Sequence, residues 1–438
     1  MPEAVMLWWE ALSPTVQDAI WLILLLLPAI VVGVVVVGGY RPFGLAGAML
    51  WRFRWPSLLF AALIAVSVGI GVGLVSQERA LRQGTARAAE KFELIVAAPG
   101  SEITMLLAAV YLQPSDVPLL SGQVYDEIAR HEHVEIAAPI AFGDSLNGAP
   151  VVGTTAEFIT HLAGDLAEGR PFTAPREAIA GASAPVGLGD VFTPQHGVGG
   201  EGEEHKGYEF TVVGRMSATG SPWDRAVLVP VEAVWQVHGL ADGHAPARSG
   251  QLGPPFDPDY FPGTPAVLVR ADELWANYAL QSEFTRSNTM AFFPGAVLAR
   301  LHSLLGDVRQ VMSVLAVVTE ILVAAGVLTG LVIITQLFSR QLALLRALGA
   351  PRRFVFAVVW CFAAALIAGG AALGIGVGAL ATRLISDVVT ARTDILVSAT
   401  LGWREFHLVA AFVSITVMMA LVPAAVVLAR PVVSDLRS

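Results

Sequence analysis

Cysteine and lysine are nearly missing: 438 residues carry one Cys, Cys361, and two Lys, Lys91 and Lys206. A lone cysteine inside an apolar run excludes a disulfide framework and a thiolate metal site. An ATP-binding P-loop needs Gly-Lys followed by Ser or Thr, whereas Lys91 lies between Glu90 and Phe92 and Lys206 between His205 and Gly207. Charge is scarce too, at 14% against 55% hydrophobic residues. The net -9 with no basic-aromatic run excludes a nucleic-acid partner. No His-Glu-x-x-His, Ser/His/Asp or paired-carboxylate arrangement stands out, so no catalysis is expected within the chain.

Apolar residues are abundant, with a mean hydropathy of +0.64, and they are clustered. A bilayer core of roughly 30 Å needs about 20 apolar residues in a helix. Five runs reach that length: Ala19–Val37, Ser57–Val75, Val311–Leu337, Phe354–Thr382 and Phe406–Ala429. The first has an acidic flank (Glu3, Glu10, Asp18) and no small-x-small cleavage site after Val37, so it reads as a retained span and not a signal peptide.

Arginines orient the spans. Arg41, Arg52 and Arg54 lie between spans one and two, and Arg340, Arg346, Arg352 and Arg353 between spans three and four, with no acid in either loop. Arg430 and Arg437 follow span five against Asp435 alone. These segments are expected in the cytoplasm. Arg383, Arg392 and Arg404 oppose the rule, but Asp387, Asp394 and Glu405 accompany them.

The expected order is an extracytoplasmic N-terminus (1–18), an extra first span (19–40), a basic cytoplasmic loop (41–56) and a second span (57–76). An extracytoplasmic domain (77–310), three spans within 311–430 and a cytoplasmic tail (431–438) follow. The fold class is thus membrane α-helical, five transmembrane helices with a large mixed α/β domain outside on a helical stalk. Gln77–Glu93 should continue span two as a helix, and Val297, Leu301, Leu304, Leu305, Val308, Val311 and Met312 mark an amphipathic helix entering span three. Strands are expected at Leu94–Ala97, Phe210–Val213, Ala226–Val229 and Ala266–Val269, and helices near Ser121–His131 and Val231–Val237. Gly/Pro-rich loops fill 181–207 and 239–265.

Between spans three and four, Leu342, Leu345 and Leu348 recur at spacing three in a short Leu/Ala/Arg helix ringed by Arg340, Arg346, Arg352 and Arg353. Gly349 reads as its C-terminal stop and Pro351 prevents continuation. Such a helix can rest in the headgroups or in a groove of a soluble partner.

Arg340, Leu342, Ala343, Leu344, Leu345, Arg346, Ala347, Leu348, Gly349 and Ala350 resemble the cytoplasmic signature of FtsX/MacB/LolC-type ABC transporter permeases, with Gln341 where the family commonly has Glu. Phe92–Ser101 and Tyr208–Gly214 resemble strands of the MacB-like periplasmic core domain, and the likeness covers about residues 55–430. It implies that the 339–353 segment is a coupling helix for a separate ATP-binding subunit, which carries the ATP and magnesium. It also implies a second permease subunit, identical or related, and residence in the inner membrane in contact with lipid. The extra first span lies outside the minimal four-span pattern. The expected work is coupling ATP hydrolysis to export, extraction or handover of an extracytoplasmic substrate. An alternative is a non-transporting regulator of an outer partner such as a binding protein or cell-wall hydrolase.

Other features stand apart from that signature. Gly370, Gly374 and Gly378 at spacing four suit close helix packing, within one subunit or across a dimer seam. Glu320, about nine residues into span three, is an intramembrane acid that needs a partner or a proton. Eight of nine histidines fall in the outer domain. His131, His133, His196, Glu204 and His205 combine imidazole with carboxylate, as zinc accepts. Their spacing is irregular, so solvated loop histidines are the first reading, with no cofactor bound by this chain. Zinc handling is the second.

Overall fold

A computed structural model describes residues 8–113, 115–197, 202–304 and 306–429. Arg430, Asp435, Arg437 and the 431–438 tail lie outside the described residues, as do Glu3 and Leu305. The chain divides into two compact units.

The first unit comprises residues up to 80, 307–386 and from 398 onward. Four helices among the described residues are long and apolar enough to cross a bilayer: Pro14–Val37, Arg54–Ala89, Arg352–Thr393 and Trp403–Val426. Within a further helix, Gly306–Leu337, the stretch Val317–Ile333 is apolar. Helix Pro14–Val37 buries no residue within the chain, as expected of a helix with lipid around most of its surface. It packs against helix Trp403–Met419, and the His407 imidazole donates to the Asp18 carbonyl at 2.8 Å. The core gathers Ile64, Val68, Val72, Val327, Leu331, Val358, Phe362 and Phe412.

The expected stalk is helical on one side, since Arg54–Ala89 runs well past the apolar segment. Helical residues Pro294–Leu304 and Gly306–Leu337, on either side of the undescribed Leu305, cover the region expected as an amphipathic helix entering span three. Between the fourth and fifth apolar runs, the chain stays helical as far as Thr393.

Residues 81–306 with 387–397 form the second unit, a mixed α/β domain. Its strands are β1 (Leu94–Ala97), β2 (Val134–Pro139), β3 (Ala141–Leu146), β4 (Ala149–Thr154), β5 (Glu168–Gly169), β6 (Glu177–Ala180), β7 (Val191–Phe192), β8 (Gln195–His196), β9 (Phe210–Arg215), β10 (Val227–Pro230), β11 (Ala266–Ala271) and β12 (Met290–Phe292). One sheet has the order β12-β1-β11-β2, all antiparallel. The other runs β5-β9-β6-β10-β4-β3-β8, with β7 beside β9 and parallel pairing at β10/β4 and β6/β9.

Every residue of β1 is buried, which is why an unbroken Leu-Ile-Val-Ala run forms a central strand. Trp223, Tyr125, Phe284 and Phe292 fill the core, and the Trp223 indole N–H donates to the Ala109 carbonyl at 3.3 Å. β3 and β8, at one end of the larger sheet, carry the histidine-rich region described next.

Candidate functional site

Helix Ser339–Ala347 stops where its sequence says it should. Gly349 takes φ +99°, the Gly349 N–H donates to the Arg346 carbonyl at 3.1 Å, and the Ala350 N–H donates to the Leu345 carbonyl at 2.9 Å. These paired bonds satisfy two carbonyls left open by the helix end, and only glycine adopts that φ without steric cost. The leucines do not share one face. Leu342 is buried with Phe338 and Leu331, Leu345 is half-buried against them, and Leu348 is 85% exposed. Leu344 is exposed as well, so the apolar pair turned away from the core is Leu344 with Leu348, four residues apart. Arg340, Arg352 and Arg353 are exposed around it.

The glycine row lies against helix Arg54–Ala89 of the same chain. A Cβ on Gly370 would stand 2.8 Å from Ile64 Cβ, on Gly374 2.6 Å from Val68 Cβ, and on Gly378 2.7 Å from Val72 Cγ1. The backbone carbonyls of Ala61, Ala65 and Gly69 lie 3.0–3.1 Å from the same three points. Three notches at spacing four thus receive three β-branched side chains at spacing four. Of the two readings left open by the sequence, this is packing inside one subunit. Glu320 faces the same helix: its Oε1 lies 2.8 Å from where a Gly71 Cβ would be.

Arg79, unremarkable in the sequence, pairs with Glu405 at 2.9 Å. The Glu405 side chain is almost fully buried and also accepts from the Gly402 N–H at 2.9 Å, capping helix Trp403–Met419. Arg79 donates in addition to the Thr400 carbonyl.

In the second unit, Asp144, His196, His205 and His238 converge, with one ligand-capable atom from each within 4.8 Å of the others. Asp144 sits on β3 with a side chain only 2% exposed. Its Oδ1 lies 3.0 Å from His205 Nε2, 3.5 Å from His238 Nε2 and 3.6 Å from His196 Nδ1. The three imidazole centroids are 5.3–5.7 Å apart and the rings are inclined to one another by 72–86°.

Local structure explains the convergence. A register shift between Ala141 and Asp144 interrupts the β3/β4 ladder, and bulges of this kind re-aim a side chain. Gly143, inside that bulge at φ +150°, leaves room for His238, whose Nε2 lies 3.3 Å from where a Cβ would be. His196 pairs opposite Asp144 in the β3/β8 ladder. The chain then returns so that Glu203 accepts from the His196 N–H and Pro194 from the His205 N–H, each at 3.0 Å. Gly202 permits this return, because any Cβ there would run into the His196 carbonyl. His238 ends helix Val231–Val237.

Burial opposes ionisation of Asp144, but His238 and His205 together outweigh it and hold the carboxyl below its usual range. The Asp144 carboxylate in turn raises His238 above the ordinary imidazole range, against the effect of burial.

Of the histidines and acids singled out by sequence, His196 and His205 belong to this cluster. Glu204 is exposed, with its backbone bridged to Gln195. His131 and His133 lie elsewhere, beside Glu283 at 3.3 Å and Asp272 at 3.3 Å respectively, with Trp275 against the His133 ring. Sequence reasoning counted His238 only among the outer-domain histidines and passed over Asp144. A Gly one residue before an Asp, within a strand, was the available signal.

Comparison with known proteins gives two family matches. The MacB-like periplasmic core domain matches residues 57–274, and the FtsX-like permease C-terminal domain matches residues 309–431. Among curated proteins, none matches. One matching solved structure is the crystal structure of the extracellular domain of the noncanonic ABC-type transporter YknZ from Gram-positive bacteria. It is 11% identical, covers 45% of this chain and 98% of its own, and superposes with a TM-score of 0.28. A superposition that loose establishes no detail of the fold.

Proposed function

Because the chain is an FtsX/MacB-type ABC permease subunit, an inner-membrane protein with a large extracytoplasmic domain and an ATP-binding subunit as partner, we propose that it transmits motion and does not conduct solute through a pore. Two permease subunits, identical or related, and two ATPases form the working assembly. The ATPases dock on the 339–353 segment, and their closure moves the membrane helices and, with them, the outer domain. That domain then extracts, releases or hands over a substrate outside the membrane. The observation that carries this reading is the order of the two family matches along one chain, with the arginine-ringed helix Ser339–Ala347 inside the second.

Docking is tested at Leu348, the most exposed large apolar residue of that segment. Leu348→Asp places an unpaired charge in the proposed apolar contact while leaving the buried Leu342 untouched. Membrane insertion should stay normal, and copurification of the ATP-binding subunit should fall at least tenfold. Undiminished copurification would remove the segment from the interface.

Orientation follows the arginines, with the N-terminus outside and the C-terminus in the cytoplasm. The native Cys361 is buried, so introduced cysteines can be read separately. Gln251→Cys should react with a membrane-impermeant maleimide in intact cells, and Arg352→Cys should react only after lysis. Labelling of position 352 in intact cells would invert the topology.

A further inference from the structure

We propose that Asp144, His196, His205 and His238 bind one zinc ion, making the outer domain a zinc-binding module. Zinc in a tetrahedral site has ligands about 2.0–2.1 Å away, which sets ligand–ligand separations of about 3.3 Å. The three imidazole nitrogens lie 3.0, 3.5 and 3.6 Å from Asp144 Oδ1, on either side of that value.

Hydrogen bonding alone accounts poorly for the same arrangement. One carboxylate oxygen offers two lone pairs, and nitrogens at 3.5 and 3.6 Å are past good hydrogen-bond length. One ligand-capable atom from each of the four side chains lies within 4.8 Å of the others, so a small inward movement of the imidazoles would place three nitrogens and the carboxylate around one ion.

Chemistry selects the ion. Three imidazoles and one carboxylate suit zinc, whereas calcium and magnesium require oxygen-rich shells. Asp144 is nearly fully buried, and a buried carboxylate among imidazoles is favoured by a cation. His196, 62% exposed, leaves a path for the ion to enter from solvent. Zinc at this site would also fasten the return between β8 and His205 onto β3 and the end of helix Val231–Val237. It neither requires nor reports on ATP-driven work by the permease.

The test uses the full-length chain in detergent, stripped with a chelator and titrated with zinc against a chromophoric competitor. Wild-type protein should take up one equivalent at submicromolar affinity, undisturbed by millimolar magnesium or calcium. Cobalt(II) at the same site should give the intense visible bands of a tetrahedral centre and be displaced by zinc. His238→Ala and Asp144→Asn should each weaken zinc binding at least tenfold. Replacing both His131 and His133 with Ala should leave it unchanged. His196→Ala, at the most exposed ligand, is the variant least able to disturb folding and should also weaken binding at least tenfold. Zinc should raise the unfolding midpoint of wild type and not that of His196→Ala. Wild-type affinity in His196→Ala and His238→Ala, uptake lost on changing His131 and His133, or no stoichiometric uptake by wild type would each overturn the site.

Discussion

Arg79→Ala is expected to destabilise the protein by about 3 kcal/mol, because it strands the Glu405 carboxylate, which is 1% exposed. Glu405 has the Gly402 N–H as its second donor, while its Oε1 has no hydrogen-bond partner among the described residues. Removing the guanidinium therefore leaves a buried charge held by one backbone bond. Glu405→Gln keeps an oxygen for the Gly402 N–H and drops the charge, so it should cost less. With both replacements, stability should exceed that of Arg79→Ala alone. Thermal unfolding of the detergent-solubilised variants measures all three. Strict additivity of the two single changes would show that the pair contributes nothing as a pair.

Gly374→Leu is expected to abolish recovery of monodisperse protein. Its first added carbon would already sit 2.6 Å from Val68 Cβ and 3.0 Å from the Ala65 carbonyl, so helices Arg54–Ala89 and Arg352–Thr393 could not close. Gly374→Ala carries only that first carbon and should cost about 1–3 kcal/mol, the range for overpacking. Val68→Ala should restore part of the loss in the Gly374→Ala background while destabilising the wild-type chain by itself. Such a reversal of sign identifies direct contact. If Gly374→Leu unfolds at the wild-type temperature, position 374 faces lipid, where leucine is welcome.

How far the sequence could be read depended on the range of the interaction. Long apolar runs and the Gly349 stop are local, and the structure has helices at those runs and the paired cap bonds at that stop. β1 and helix Val231–Val237 coincide with their sequence-based bounds, since a continuous Leu-Ile-Val-Ala run and a Pro230-started helix are decided within a few residues. β3 and β4 were not anticipated: Ala-Phe-Gly-Asp-Ser-Leu and Ala-Pro-Val-Val-Gly-Thr interrupt their apolar residues with Gly and Pro and form strands by pairing with each other.

Long-range polar partners were the least legible. Glu405 stands next to Arg404 in the sequence, yet it joins Arg79, 326 positions away. Asp394 likewise pairs with Arg225 at 3.3 Å, not with neighbouring Arg392. Asp144 meets His238 across 94 residues through a bulge that no spacing rule anticipates. The leucine face failed for a different reason. A spacing of three places residues on one side of a helix only over short stretches, since 3.6 residues make a turn. From Leu342 to Leu348 that drift is enough to turn the last leucine away from the core.

The three glycine notches and the three side chains seated in them work as a toothed rack. Ile64, Val68 and Val72 repeat every four residues, so one helix can slip along the other only by that spacing, roughly 6 Å, before the teeth engage again. Any smaller slide drives a branched side chain against backbone or a neighbour with a Cβ. The packing at Gly370, Gly374 and Gly378 thus resists sliding of helices Arg54–Ala89 and Arg352–Thr393 past one another by less than that step. On the proposed docking of ATPases near Arg352, a push on the second helix would then pass to the first through this seam without slip.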